Sequence, residues 1–66
     1  MGFREQRLKA GKSVKEVADT IGVTHQSIYG FENGRYMPSI NILQKMAQVY
    51  GCTMEELLEG ENKPDD

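Results

Sequence analysis

The stretch from Val14 to Phe31, VKEVADTIGVTHQSIYGF, limits most sharply what this chain can fold into. Apolar residues at Val14, Val17, Ala18 and Ile21 recur with helical spacing, and after Gly22 the pattern restarts at Val23, Ile28 and Phe31. Two short amphipathic helices hinged at a glycine follow from it. Between the apolar positions of the second lie Thr24, His25, Gln26, Ser27 and Tyr29, side chains rich in hydrogen-bonding groups that add little to a core.

The flanking sequence extends the same helical language. FREQRLKA, from Phe3 to Ala10, contains good helix formers and no breaker before Gly11. Ser13 with Glu16 is a capping box that opens the helix from Val14 to about Ile21. Thr24 is the N-cap of a third helix from His25 to about Glu32, which stops at the turn dipeptide Asn33-Gly34. Ser39, after Pro38, caps a fourth helix with apolar positions Ile40, Leu43, Met46, Ala47 and Tyr50, closed by Gly51. Thr53 with Glu56 is a second capping box, starting a last helix through Met54, Leu57 and Leu58. No alternating strand pattern and no internal repeat occurs, so the fold class is all-α, with five short helices around one core. The expected core is Phe3, Leu8, Val17, Ala18, Ile21, Val23, Ile28, Phe31, Ile40, Leu43, Met46, Ala47, Tyr50, Met54 and Leu57. The four methionines read as gap-fillers within it.

Sixty-six residues make one domain at most, and a chain of this size buries only about 60% of the surface its unfolded form exposes. Little room is left for the enclosed cleft of an enzyme or a small-molecule sensor. The net charge of −2 hides an asymmetry: residues 1–54 carry seven Lys and Arg against four Asp and Glu, whereas residues 55–66 carry one against six. The body is therefore +3 and the end of the chain −5. A mildly basic body can present a positive face to phosphates. The division of the chain follows: a domain over 1–59 and an acidic disordered tail over 60–66.

Several chemistries are absent from the pattern. There is no nucleophile, base and acid constellation, no phosphate-cradling glycine loop and no pair of carboxylates flanking a pocket, so no enzyme is expected. Neither is a cofactor or a small-molecule ligand. His25 is the single histidine, with no second ligand at zinc spacing, so no metal site is expected. Cys52 is alone among apolar neighbours and reads as a small buried hydrophobe. No apolar run approaches the ~20 residues of a membrane span and the N-terminus lacks an apolar signal core, so the chain reads as cytoplasmic and not membrane-bound.

With these residues set out, the chain resembles the Cro-type, lambda-repressor-like helix-turn-helix family, also called XRE-type. The matching pieces are RLKAGKSVKEVADTIGV, THQSIYGFENGR, PSINILQKMAQVYG and TMEELL, which cover nearly everything from Phe3 to Leu58. Ala18, Gly22 and the apolar Val17, Ile21, Val23, Ile28 and Phe31 fall where the family has them. The resemblance implies a compact five-helix DNA-binding domain, with its third helix in the major groove of double-stranded DNA and its second crossing the backbone.

That placement, together with residue chemistry, selects candidates. The base contacts implied are His25, Gln26, Ser27, Tyr29 and Gly30. Gln26 donates and accepts together and so matches adenine N6 and N7, while Tyr29 suits a thymine methyl or a phosphate. The phosphate contacts implied are Lys15, Thr24, Asn33, Arg35, Tyr36 and Ser39, the last through free amides at a helix N-terminus. The family pairs a glutamate at the position of Glu32 with an arginine at that of Arg7, implying a structural ion pair. It also dimerises through its last helices, which nominates Tyr50, Met54, Leu57 and Leu58 as a homodimer interface; an all-core role for the same residues stays open. Three positions depart from the family pattern. Val14 replaces a frequent glutamine, Lys12 stands where a core leucine is common, and Gly30 sits inside the third helix at a cost of up to ~1 kcal/mol relative to alanine. Gly30 either permits close approach to DNA or lies where a larger side chain would clash.

The expected function is that of a bacterial or phage transcriptional regulator, a repressor that binds operator DNA as a homodimer with two half-sites about 34 Å apart. The alternatives are an antitoxin-like or controller protein modulated by a partner protein, and a protein-interaction module that has lost DNA binding.

Overall fold

The computed structural model of the protein describes residues 2–59. Five helices follow one another: α1 (Phe3–Lys9), α2 (Val14–Ile21), α3 (His25–Asn33), α4 (Ile40–Tyr50) and α5 (Met54–Glu59). No strand occurs among the described residues. The acidic tail expected over 60–66 lies outside them.

The helix starts are written locally. Ser13 Oγ accepts from the Glu16 amide at 3.1 Å while Glu16 Oε1 accepts from the Ser13 amide at 2.9 Å. Thr53 and Glu56 repeat this reciprocal arrangement at 3.0 and 2.9 Å. Thr24 and Ser39 each accept one amide, from Ser27 at 3.1 Å and Ile42 at 3.4 Å. Such caps matter because the first four amides of a helix have no partner within it. α1 has no side-chain cap, and its start is instead tied down by a tertiary contact. The Gly2 amide donates to the Leu57 carbonyl at 2.8 Å, stitching the start of α1 to α5.

α2 packs on α3 and α4, α4 on α5, and α1 spans α3, α4 and α5. Phe3, Val17, Ile28, Met46 and Leu57, one from each helix, are the largest fully buried side chains. Each contributes roughly 1.5–3 kcal/mol of transfer free energy as an upper bound. Phe31 lies beside Phe3 with ring centroids 6.4 Å apart. Val14, Ala18, Ile21, Leu43, Ala47 and Tyr50 complete the core, with Val23, Ile42, Val49, Cys52 and Met54 half-buried against it.

The structure departs from the sequence pattern at several positions. Leu8 is 57% exposed, because the buried face of α1 runs through Phe3 and Arg7 and Leu8 lies one residue past it. Ile40, 61% exposed, begins α4 one turn before its first buried residue, Leu43, where the stripe has run out of neighbours. Met37 is exposed in the connection to α4, so of the described methionines only Met46 and Met54 fill gaps. α3 runs one residue further than expected, to Asn33.

Candidate nucleic-acid interface

The geometry of this surface begins at the turn between α2 and α3. Gly22 has φ +89°, a left-handed conformation that L side chains avoid, and the Gly22 and Val23 amides both return to the Ala18 carbonyl at 2.8 and 3.0 Å. Thr24 then caps α3 with φ −84° and ψ 160°, so only three residues separate the two helices. Val17, Ala18 and Ile21 on one side and Ile28 and Phe31 on the other are buried, which sets how α3 lies across α2.

The opposite stripe of α3 faces solvent. His25, Gln26, Tyr29 and Asn33 are exposed, at spacings that place them on one side of the helix. Two open depressions flank that stripe. One is lined by Gln26, Tyr29, Gly30, Asn33, Arg35 and Tyr36. The other is lined by Arg4, Arg7, Ser13, Val14, Lys15, His25, Tyr29, Glu32 and Asn33. Tyr29 and Asn33 border both, so the candidates from α2, α3 and the following loop form one continuous surface.

Beneath this surface lies an ion pair. Arg7 Nε donates to Glu32 Oε2 at 2.6 Å and Arg7 Nη2 to Glu32 Oε1 at 3.2 Å, a two-pronged arrangement that ties α1 to α3. Nη1 donates to the Lys12 carbonyl at 3.1 Å. The side chains are 11% and 5% exposed, so the pair is largely withdrawn from water. Hydrogen bonding to Glu32 raises the Arg7 pKa above its ordinary value, against the opposing effect of burial. With Glu32 neutralised in this way, Arg4, Lys15 and Arg35 leave the rim positive. Lys15 also meets Asp19 at 3.3 Å, but both side chains are well exposed and water screens the pair.

Other candidates are placed differently. Gly30 is buried, and a Cβ built there would overlap the Tyr36 ring, so the glycine is covered by a side chain and presents no surface to a base. Of the two readings open for it, the steric one describes the structure. Ser27 is half-buried, with its hydroxyl 3.0 Å from Thr24 Oγ1, so both hydroxyls serve the α3 cap. Ser39 is exposed but stands at the start of α4, its hydroxyl accepting from Ile42. Among the four residues expected at a dimer interface, Tyr50 and Leu57 lie inside the protomer at 7% and 0% exposure, which leaves them no surface for a second copy. Tyr50 closes the buried stripe of α4 that runs through Leu43, Met46 and Ala47, and Leu57 is the buried side chain of α5. Met54 is half-buried and Leu58 is 41% exposed.

Arg4 is the residue missed by sequence reasoning. It lines the same depression as Lys15 and His25. Its signal was the three-residue spacing from Arg7, which puts both on the side of α1 that meets α3. Two further groups are perturbed away from this surface. Tyr50 is pushed up to about 12 by burial and then by the charge of Glu32, and its hydroxyl has no hydrogen-bond partner among the described residues. Burial, followed by the charge of Glu56, also raises the Cys52 thiol.

Two helices locked across a glycine turn, with a polar exposed stripe on the second and a positive rim around it, define a helix-turn-helix protein. The profile of the family described as "Helix-turn-helix" matches residues 3–57. The chain belongs to this family, the XRE-type helix-turn-helix proteins. It is 36% identical over 62 residues to the HTH-type transcriptional regulator PuuR of Escherichia coli, covering 94% of this chain and 34% of that protein. An uncharacterized HTH-type transcriptional regulator of Bacillus subtilis, YgzD, is 34% identical over 61 residues, covering 89% of this chain and 92% of the relative. The cryptic phage CTXphi transcriptional repressor RstR of Vibrio cholerae is 30% identical over 56 residues, covering 85% and 50% respectively. The chain thus spans about a third of PuuR and nearly all of YgzD. Among the described residues no helix is long and apolar enough to cross a membrane.

Proposed function

We propose that this protein is a DNA-binding transcriptional regulator, acting as a repressor, that recognises an operator as a homodimer with α3 in the major groove. The observation that carries the proposal is the continuity of the exposed α3 stripe with cations from three other segments, Arg4, Lys15 and Arg35. A helix in the groove needs such flanks, because contacts to phosphate on either side set its register while the helix reads the bases.

In this reading His25, Gln26 and Tyr29 touch base edges, and Gln26 pairs with adenine N6 and N7, discriminating by ~1–3 kcal/mol. Lys15, Asn33, Arg35, the Tyr36 hydroxyl and Arg4 hold the backbone. Ser27 and Thr24 act through the cap that aims the first turn of α3, where the Ser27 amide is already engaged. Ser39 offers the free amides of α4 to an outlying phosphate. The repressor role is supported by the similarity to RstR, a transcriptional repressor. A dimer is favoured because nine residues of α3 reach few base pairs and a second half-site multiplies discrimination. Leu58, with Met54 beside it, is the apolar contact available for it once Tyr50 and Leu57 are assigned to the core.

A second reading, modulation of DNA binding by a protein partner, is favoured by Met37 and Ile40, both more than half exposed near the end of the reading helix. The test is a mobility-shift titration on random and selected DNA across a salt series. Gln26→Ala is expected to lose discrimination at particular base pairs, and Arg35→Ala to weaken all sequences alike and flatten the salt dependence. Absence of any salt-sensitive shift by the wild-type chain ends the DNA-binding reading, and a shift that appears only with a second protein transfers the function to the complex.

A further inference from the structure

Gly30 and Tyr36 form an arrangement that neither the family pattern nor the phosphate assignment explains. Gly30 lies in the middle of α3 and is buried, although it faces the same side as the exposed Gln26 and Asn33, one turn away in each direction. What covers it is the Tyr36 ring, since a Cβ on Gly30 would overlap two of its ring carbons and approach a third at 3.3 Å. The backbone holds the same contact in place. The amides of Arg35 and Tyr36 both return to the Gly30 carbonyl, at 2.8 and 3.3 Å, folding the loop back over the helix that it has just left. Tyr36 remains 52% exposed, so one side of the ring rests on the helix and the rest faces solvent. It borders the same depression as Gln26 and Tyr29, which is itself 53% exposed.

We propose that the Tyr36 ring, seated on Gly30, is a specificity-determining element that, with Tyr29, receives the methyl group of a thymine next to the base read by Gln26. Gly30 is the positioning residue: it touches no DNA, and its missing side chain is the space the ring occupies. An aromatic surface beside a bidentate amide has the chemistry for this base pair step, because thymine alone carries a methyl group into the major groove. The ring is supplied by the loop, so the reading surface is wider than one helix. The inference rests on the DNA-binding reading above.

The test keeps the two separable. The full chain is first used to select sites from random duplex DNA, and each thymine of the selected site is then replaced by uracil, which removes only the methyl group. At one thymine, the wild-type chain is expected to lose about four-fold in affinity, the worth of one buried methyl. Tyr36→Phe keeps that sensitivity, whereas Tyr36→Ala and Gly30→Ala lose it. Thermal melts check the seat directly: Gly30→Ala lowers the melting temperature of the wild-type chain but raises it in the Tyr36→Ala background, where alanine's helix propensity is unopposed. A selected site with the same uracil response in wild type and Tyr36→Ala overturns the proposal. So does a Gly30→Ala effect on melting that is identical in both backgrounds. Failure to select any site, with no salt-sensitive binding, overturns the DNA-binding reading and this inference with it.

Discussion

The Arg7–Glu32 pair offers the sharpest test of how this small domain holds its recognition helix. Arg7→Met removes the guanidinium and leaves the Glu32 carboxylate 5% exposed with no cation; Glu32→Leu leaves a guanidinium 11% exposed with only the Lys12 carbonyl. Either change strands a charge away from water, at a cost of roughly 3–5 kcal/mol. A chain of 66 residues has a total stability of about 3–10 kcal/mol, so each single variant should be largely unfolded at modest urea. The double variant removes both charges and puts apolar atoms in their place, which is close to neutral when volume is conserved. Urea melts followed by circular dichroism on the four proteins should therefore give a coupling energy of at least about 2 kcal/mol. The coupling should also be nearly unchanged between low salt and about 0.5 M NaCl, since a withdrawn pair is screened little. A coupling below about 0.5 kcal/mol would mean that the pair behaves as a surface pair and that α1 is held to α3 by packing alone.

Other perturbations follow from the same structure. Tyr50 has its pKa raised to about 12 from an ordinary 10, so the stability it contributes is complete below pH 10 and is lost as the pH rises through 12. The loss is of order 2 kcal/mol and should vanish in Tyr50→Phe, so parallel alkaline melts of the two proteins would contradict the assignment. Gly22→Ala meets no neighbour within 4 Å but must hold φ near +89°, so a cost of about 1–2 kcal/mol is expected from conformation alone, read by denaturant melts. Leu57→Ala should cost about 2–5 kcal/mol while Leu8→Gln stays within about 0.5, and equal costs would place Leu8 in the core after all.

The local signals were the most legible. Ser13, Thr24, Ser39 and Thr53 cap helices where residue type alone put them, because a cap is a contact over three residues and needs no knowledge of the fold. The family pattern carried further than periodicity, pointing from Arg7 to Glu32 across 25 positions. Periodicity fails where a helix is short: in the seven residues of α1, Leu8 and Arg7 compete for one buried face, and hydrophobicity favours the leucine. Tertiary structure favours the arginine because Glu32 lies opposite.

What the sequence determined by itself is the set of five helices, the Gly22 hinge and the polar stripe of His25, Gln26 and Tyr29, all set by interactions within a few residues along the chain. What only tertiary structure decided is what each surface touches. Tyr50 lies inward as the last residue of the buried stripe of α4, and Leu57 because α5 has one turn and a half to bury and α1 and α4 to bury it against. Arg4 joined the rim because α1 meets α3. Gly30 was covered because the loop returns, and the amides of Arg35 and Tyr36 find the Gly30 carbonyl only after α3 has formed and Gly34 has turned the chain. Such contacts depend on where helices come to rest, which is decided by the packing of the whole core.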